Sequence, residues 1–375
     1  MKKKRRLKKK PFIVLFSIII LLFICLMLPK GSNKVKNIQQ DLKENVEKKE
    51  EITEEKPKTL SIVMVGDVLI HESVYLDAKT DNGYDFSKMF THIEPIIKNY
   101  DLKYCNQESI IGGKDLGISG YPNFNAPDEI GNNLVDIGFN LVSLANNHAY
   151  DKGEKAILYS VDYWKNKKDV VTAGSYASTE ERNEPKIYEM NGIKYAFLSY
   201  TTGLNGYKAK DYLVNMYDKD KVKEDIEKVS DADLIIVAMH WGVEYTNEPT
   251  NSQREIAEYL SSLGVDLIIG THPHVVEPIT YIGDTLVIYS LGNFISNQLV
   301  IDLNPAIGLL LGLDITLDGD KVKFEIKDKE LIYSYSDHST NFKVIPFKNL
   351  SDDILLGYKD IEDTYMKIVD KELEK

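Results

Sequence analysis

The sequence predicts an α/β domain held outside a membrane by one N-terminal anchor, and three observations carry that expectation. A cluster of basic residues precedes an uninterrupted apolar run at the start of the chain. From Thr59 onward, short apolar runs rich in β-branched residues alternate with segments of helical character. Five of the seven histidines stand in four polar motifs, each following one of those apolar runs.

Residues 1–10 carry eight Lys or Arg and are expected to stay cytoplasmic, which puts the rest of the chain on the far side of the membrane. Within the expected anchor, residues 11–29, the stretch 12–28 has no charge. Its residues, at about 1.5 Å each, reach roughly 25 Å, the short end of what crosses a bilayer. No small-residue cleavage pattern precedes Gly31 and Ser32, so the anchor is expected to stay uncleaved. Cys25 follows Leu22, Phe23 and Ile24 and lacks the small neighbour that lipid attachment needs. Residues 30–58 are rich in Lys, Glu, Asn and Gln and read as a solvated stalk. The predicted product is a single-pass protein of the cell membrane with an extracellular domain.

Setting the eight leading basic residues aside leaves 38 of the 46 Lys and Arg against 58 Asp and Glu. Such an acidic domain does not suit nucleic acid, whose phosphates need a basic surface. Outside the anchor Cys105 is the only cysteine, so the exported part forms no internal disulfide and relies on its core. Roughly 290 residues remain for one large domain, taken as 59–350, followed by a helical tail over 351–375.

In chain order, strands are expected at residues 60–65, 102–105, 141–144, 170–173, 195–200, 234–239, 267–269 and 286–290. Helices are expected over 128–137, 154–165, 219–229 and 252–263, with Asp128 and Ser252 as N-caps. After Asn304 the texture changes to an antiparallel meander, with strands at 307–317, 321–325 and 331–335 around Asp318-Gly319-Asp320.

The polar motifs lie just past the carboxyl ends of these strands, where helix-flanked sheets build their sites. Asp67, after Gly66, is a candidate carboxylate, or else a turn aspartate that bonds nearby amides. Asn106 and Glu108 would point to one side if their strand continues, while a solvated sheet-edge glutamate is the plainer alternative. Asn146-Asn147-His148 places two carboxamides and an imidazole at one strand end, where each needs a partner because an unpaired buried polar group costs about 1–3 kcal/mol. His240, before Trp241 and Gly242, is a ligand or a core histidine bonded to backbone. His272-Pro273-His274 carries the strongest local pattern: on an extended segment the two imidazoles face one way and converge on one centre. Asn293 orients a ligand or closes a turn. Imidazole with carboxylate suits one or two divalent ions of zinc, iron or manganese.

Together these residues resemble the CapA family of poly-γ-glutamate capsule synthesis proteins, related to calcineurin-like metallophosphoesterases. The resemblance runs over residues 60–317 and rests on Gly66-Asp67, Asn106-Gln107-Glu108-Ser109, Phe124-Asn125-Ala126-Pro127, residues 145–153, His240-Trp241-Gly242-Val243-Glu244-Tyr245, His272-Pro273-His274 and residues 290–294. It implies a four-layer fold, two central mixed β-sheets between helices. It also implies a membrane-anchored role in making, exporting or attaching an anionic γ-linked glutamate polymer, alongside membrane synthase subunits. On that pattern the metal ligands are Asp67, Glu108, Asn147, His240, His272 and His274. His148 is the acid histidine, and Asn106, Asn146, Trp241, Glu244 and Asn293 are candidate substrate contacts. Where the phosphoesterases have Asp-x-His, Val68 and Leu69 follow Asp67, so one ligand is missing unless His71 moves in. His71 is thus a ligand, a second proton carrier, or a surface residue. Three functions follow: a metal-dependent hydrolase or transferase, acting on this polymer or on another envelope substrate; an epimerase acting at a glutamyl centre; or a non-catalytic subunit that binds and guides the polymer.

Overall fold

The computed structural model describes residues 57–298 and 301–373. The expected anchor and all but the end of the stalk lie outside them. Among the described residues no helix is long and apolar enough to cross a membrane.

Two mixed sheets organise residues 58–373. The parallel half of the first is β1 (Lys58–Val68), β4 (Leu102–Asn106), β5 (Leu141–Ser143) and β6 (Val171–Ala173). Its antiparallel half is β14 (Ile307–Asp318), β15 (Lys321–Asp337) and β16 (Thr340–Pro346). The strand order across it is β16-β15-β14-β1-β4-β5-β6. A short strand, β13 (Asn293–Ile295), runs parallel to the end of β1. The second sheet has a parallel centre of β8 (Ile193–Thr201), β9 (Leu234–His240), β10 (Leu267–Thr271) and β12 (Thr285–Ile288). Antiparallel β7 (Ile187–Met190) and β11 (Ile279–Ile282) close its two edges. A two-stranded hairpin, β2 (Lys79–Thr80) with β3 (Gly83–Tyr84), stands apart.

Alternation along the strands decides the layers. In β1 and β4, Ile62, Met64, Leu102 and Tyr104 meet Tyr195, Phe197, Ile236 and Ile269 of the second sheet in one core. Their neighbours Val63, Val65 and Cys105 face the other way, onto Ile130, Leu134 and Trp164. Those last residues belong to α3 (Asp128–Asp136) and α4 (Glu154–Lys165), which follow the short α1 (Glu72–Asp77) and α2 (Glu94–Ile97). On the far side, Ile235, Val237 and Ile268 pack onto Val222 and Ile226 of α6 (Lys219–Lys228) and Ile256 and Leu260 of α7 (Asn251–Ser262). Between α4 and α6 lies the short α5 (Thr179–Asn183). The result is helix, sheet, sheet, helix. Each fully buried Val, Leu or Ile in it contributes about 1.5–3 kcal/mol, so the central strands are apolar on both faces.

Each of the strands and helices expected before the meander is present, within a few residues of its expected ends. Four details differ. Thr250 rather than Ser252 caps α7, because its hydroxyl accepts from the Gln253 amide while Gln253 reaches back in a capping box. Pro127 precedes α3, and Asp128 becomes its first residue. The runs 321–325 and 331–335 join into the single 17-residue β15, whose charged middle lies on an exposed edge; β16 follows it. The meander is therefore the antiparallel half of the first sheet, with β14 paired to β1 from Lys58 opposite Leu317 onward. Last, the terminal helix is confined to α8 (Tyr358–Asp370), which packs Ile361, Tyr365 and Val369 onto the inter-sheet core. Arg254 of α7 holds Glu372 just beyond it through two bonds of 3.0 and 2.7 Å.

Candidate metal centre and its pocket

The parallel strands of both sheets end at one place. Asp67 is the last residue but one of β1, Asn106 closes β4, His240 closes β9, and His272 follows β10 directly. Two glycines allow the approach. A Cβ at Gly66 would sit 1.7 Å from the Gly292 carbonyl oxygen, and one at Gly270 would sit 1.9 Å from that of Tyr289. No side chain fits at either position.

At the centre is Glu108, fully buried, with neither carboxylate oxygen hydrogen-bonded. Its Oε1 lies 3.6 Å from His240 Nε2 and 3.8 Å from His274 Nε2. Glu108, His272 and His274 each offer a ligand atom, and these atoms lie within 4.8 Å of one another. The His272 and His274 ring centroids are 6.0 Å apart, and those of His240 and His272 are 4.7 Å apart. His272 Nδ1 is a further buried nitrogen without a partner.

The surrounding bonds fix which atoms face inward. His274 Nδ1 lies 3.0 Å from Asn293 Oδ1 and 3.2 Å from Asp67 Oδ2, both acceptors, so Nδ1 carries a proton and Nε2 faces Glu108. Asn106 donates to Asp67 Oδ1 at 2.7 Å and its amide nitrogen stands 3.3 Å from His240 Nδ1. Asn147 Oδ1 is 2.9 Å from His240 Nε2, while Asn147 Nδ2 donates to Asn205 Oδ1 at 3.3 Å. The pair at His272 and His274 converges by a route other than strand alternation. Both residues have positive φ, 98° and 59°, so left-handed turns on either side of Pro273 swing the rings inward. Strain of this kind persists where the surrounding structure dictates it, and it collects at functional sites.

Burial and mutual charge set the electrostatics of this cluster. Burial pushes the Glu108 carboxyl well above the carboxylate range, and Asp67 adds to the push. Burial drives His240 well below the usual imidazole value, with His272 and His274 adding to it. His272 is lowered to about 4, first by burial and then by His274. For His274, burial acts against the charged ring, but Glu108 and Asp67 outweigh it and raise the value to about 9. A cation among these groups would offset the burial that pushes Glu108 toward its protonated form and take over the charge that the His274 ring otherwise carries. The residues present fit a divalent ion, since the unpaired atoms are oxygen and imidazole nitrogen.

Beside this centre opens a cavity of about 730 Å³. His148 lines it, and its Nδ1 bonds Asp151 Oδ2 at 2.7 Å, which leaves Nε2 for a reacting group. Asp151 is itself held by the Phe124 amide at 2.7 Å. His71 lines the same cavity and does not join the ligand cluster. The Asn297 amide donates to its Nδ1 at 3.1 Å, its ring packs edge-on to Phe124, and burial lowers it to about 4 against the pull of the Leu69 carbonyl. Glu244 is exposed on the rim.

Four of the expected substrate contacts are placed elsewhere. Trp241 is fully buried and donates its indole N–H to the Tyr289 carbonyl, inside the core under α7. Asn146 uses both ends on the backbone of Gln107 and His148, so it shapes the loop that carries His148. Asn293 spends its amide on Gln298 and the Pro305 carbonyl and its oxygen on His274. Asn106 points to Asp67 and His240 rather than to the cavity. Asp151 and Tyr245 stand in the quoted sequence motifs without a role assigned to them, and Asn205 and Gln298 stand in none. Asn205 follows β8 in a Gly-Leu-Asn-Gly turn. It obeys the strand-end rule, but no titratable side chain marks it.

A layered α/β domain with histidines and carboxylates gathered at the strand ends defines the class. The model of the bacterial capsule synthesis protein family PGA_cap matches residues 61–298, and the chain belongs to that family. It is 28% identical over 311 residues to the PGA biosynthesis protein CapA of Bacillus subtilis (strain 168), covering 79% of this chain and 74% of that one. It is also 28% identical over 258 residues to the capsule biosynthesis protein CapA of Bacillus anthracis, covering 64% of this chain and 60% of the relative's length. Among solved structures, a hypothetical protein from Thermus thermophilus superposes with a TM-score of 0.46, at 17% identity over 72% of this chain and 100% of that one. The 5'-nucleotidase from Candida albicans SC5314 gives 0.42, at 14% identity over 68% of this chain and 46% of that one.

Proposed function

We propose that this chain is a membrane-anchored, extracytoplasmic capsule protein that carries out a metal-assisted hydrolysis or transfer on poly-γ-glutamate, beside the membrane synthase. The observation that carries the reading is Glu108. A fully buried carboxyl group with neither oxygen hydrogen-bonded, set between two imidazoles, is a group that a bound cation would stabilise in its charged form. Asp67, Glu108, Asn147, His240, His272 and His274 would hold a divalent ion there, which would polarise a carbonyl or phosphoryl oxygen or lower the pKa of a water.

The chain's own residues supply the rest. Asp151 fixes the His148 tautomer with the proton on Nδ1, so Nε2 is free to accept a proton from an attacking hydroxyl and return it to the leaving group. Asn205 holds Asn147 so that its carbonyl oxygen faces His240. His71, neutral near pH 7, lines the same cavity as a hydrogen-bonding group for substrate.

Elemental analysis of the full-length chain purified in detergent tests the metal directly: the expected result is near-stoichiometric transition metal, lost in Glu108→Gln. Metal-free protein that still supports polymer production in cells would refute it. For the anchor, protease added to intact cells should remove the domain by cutting within residues 31–58, and a protected domain would refute the external location. If His148→Ala leaves polymer production intact while retaining metal, the site binds and guides the polymer without transforming it.

A further inference from the structure

The cavity beside the metal centre continues into a second hollow of about 430 Å³, and the two share His71, Tyr121 and Asn297. Together they form one elongated groove that leads away from His148 toward Leu76. Its lining has a distinctive chemistry. Tyr121, Tyr207 and Tyr245 stand on it with 77%, 42% and 38% exposure. Carboxamides come from Asn123, Asn147, Asn205, Asn297 and Gln298. Among the described residues no Lys or Arg lines either hollow, whereas Glu72, Asp151 and Glu244 do.

A polyanion laid in such a groove would meet carboxylates and find no fixed cation among these lining residues away from the metal centre. An uncharged ligand rich in hydroxyls and amides meets what it needs. A carboxamide carries two N–H donors and an acceptor with two lone pairs, so Asn123 and Asn297 keep capacity beyond their bonds to Tyr207 and Ser339, and an exposed tyrosine ring offers an apolar face for the C–H side of a sugar ring. The rim is also held in place. The Tyr207 hydroxyl donates to Asn123 at 2.9 Å, tying the 203–207 turn to the 121–125 loop, and Gln298 donates to the Tyr245 hydroxyl at 3.0 Å.

We propose that this groove binds an uncharged glycan segment, which serves as the acceptor or carrier onto which the polymer end at the metal centre is transferred. The inference rests on the transfer reading above for its purpose, but the binding itself does not depend on it. On transfer, the acceptor hydroxyl forms the new bond to the polymer carbonyl, the bond to the polymer's previous carrier breaks, and the proton passes through His148 to the leaving group.

The test is calorimetric titration of the full-length chain in detergent, with an N-acetylated neutral oligosaccharide and with an oligo-γ-glutamate of similar length. Saturable binding of the oligosaccharide is expected, unchanged by salt and weakened at least about tenfold in Tyr121→Ala. Tyr121 is largely solvated, so that variant should keep its thermal midpoint and its metal content, which separates loss of the groove from loss of the centre. Glu108→Gln should still bind the oligosaccharide, even if the metal reading fails. Absence of oligosaccharide binding, binding indifferent to Tyr121→Ala, or tighter metal-independent binding of the oligo-γ-glutamate would each overturn the proposal.

Discussion

Two histidine–carboxylate pairs stand close together at the strand ends and differ in what surrounds them. His274 with Asp67 is fully dry, fixed from behind by Asn293 and flanked by the unpaired Glu108. His148 with Asp151 lies on the wall of an open cavity and is tied to a loop amide. The same chemical pair thus does two jobs. On the proposed reading, the carboxylate of the first pair would orient its imidazole toward a cation, and that of the pair on the cavity wall would orient its imidazole toward substrate. Whether a pair faces the ligand cluster or the cavity, more than its residue types, sets which job it suits.

The largest effect should come from breaking the dry side alone. Glu108→Gln should lower bound metal at least about tenfold, since it removes the central anionic ligand, whereas His148→Ala should retain the metal and lose about 10²–10⁴ in turnover, read as polymer made by cells carrying each variant. Equal metal in both and in the parent would erase the distinction between the pairs. A smaller effect is expected one step behind the ligands. Asn293→Ala leaves every ligand in place but frees the His274 ring, and should weaken metal affinity about 10–100-fold in competition with a chelator. Unchanged affinity would mean that Asp67 alone orients His274.

The wet side can be sharpened by pH. His71 titrates at about 4 in the fold against about 6.5 unfolded, so between those values the unfolded chain binds more protons and stability falls as pH falls. Urea unfolding at pH 5 and pH 7 should show about 1–2 kcal/mol of that loss, and His71→Asn should abolish this share. A parent whose slope matches the variant's would place His71 in water. The smallest effect belongs to Asn205→Ala, which removes one long bond to Asn147 and should cost only a few-fold in polymer yield, with metal content held.

What could be read from the chain follows the same division. Strands buried on both faces, such as residues 234–239, announce themselves as apolar runs, and the polar groups at their tips stand out because burial makes them expensive. That logic reached Asp67, Glu108, Asn147, His240, His272 and His274. It misread Trp241, and it set Asn293 among the substrate contacts where the fold uses it to orient His274, because a polar atom beside a ligand looks identical in sequence whether it faces the cavity or the core. It attributed the convergence of His272 and His274 to an extended backbone, since no local rule foretells two histidines at positive φ. It passed over Asn205 and Gln298, whose importance lies in contacts with residues 58 and 5 positions away.

The pairing of β1 with β14 has a consequence for how the molecule is made. Lys58 lies opposite Leu317, so β1 waits for a partner that leaves the ribosome last but for the final strands. At about 5–20 residues per second, that wait is on the order of ten seconds to a minute. Throughout it, one edge of an apolar strand is unpaired, and the Asn293 that orients His274 has yet to be synthesised for most of that time. Nascent chains of this protein are therefore at their most aggregation-prone just before completion, and a truncation shortly before residue 307 should yield inclusion bodies rather than a smaller working domain.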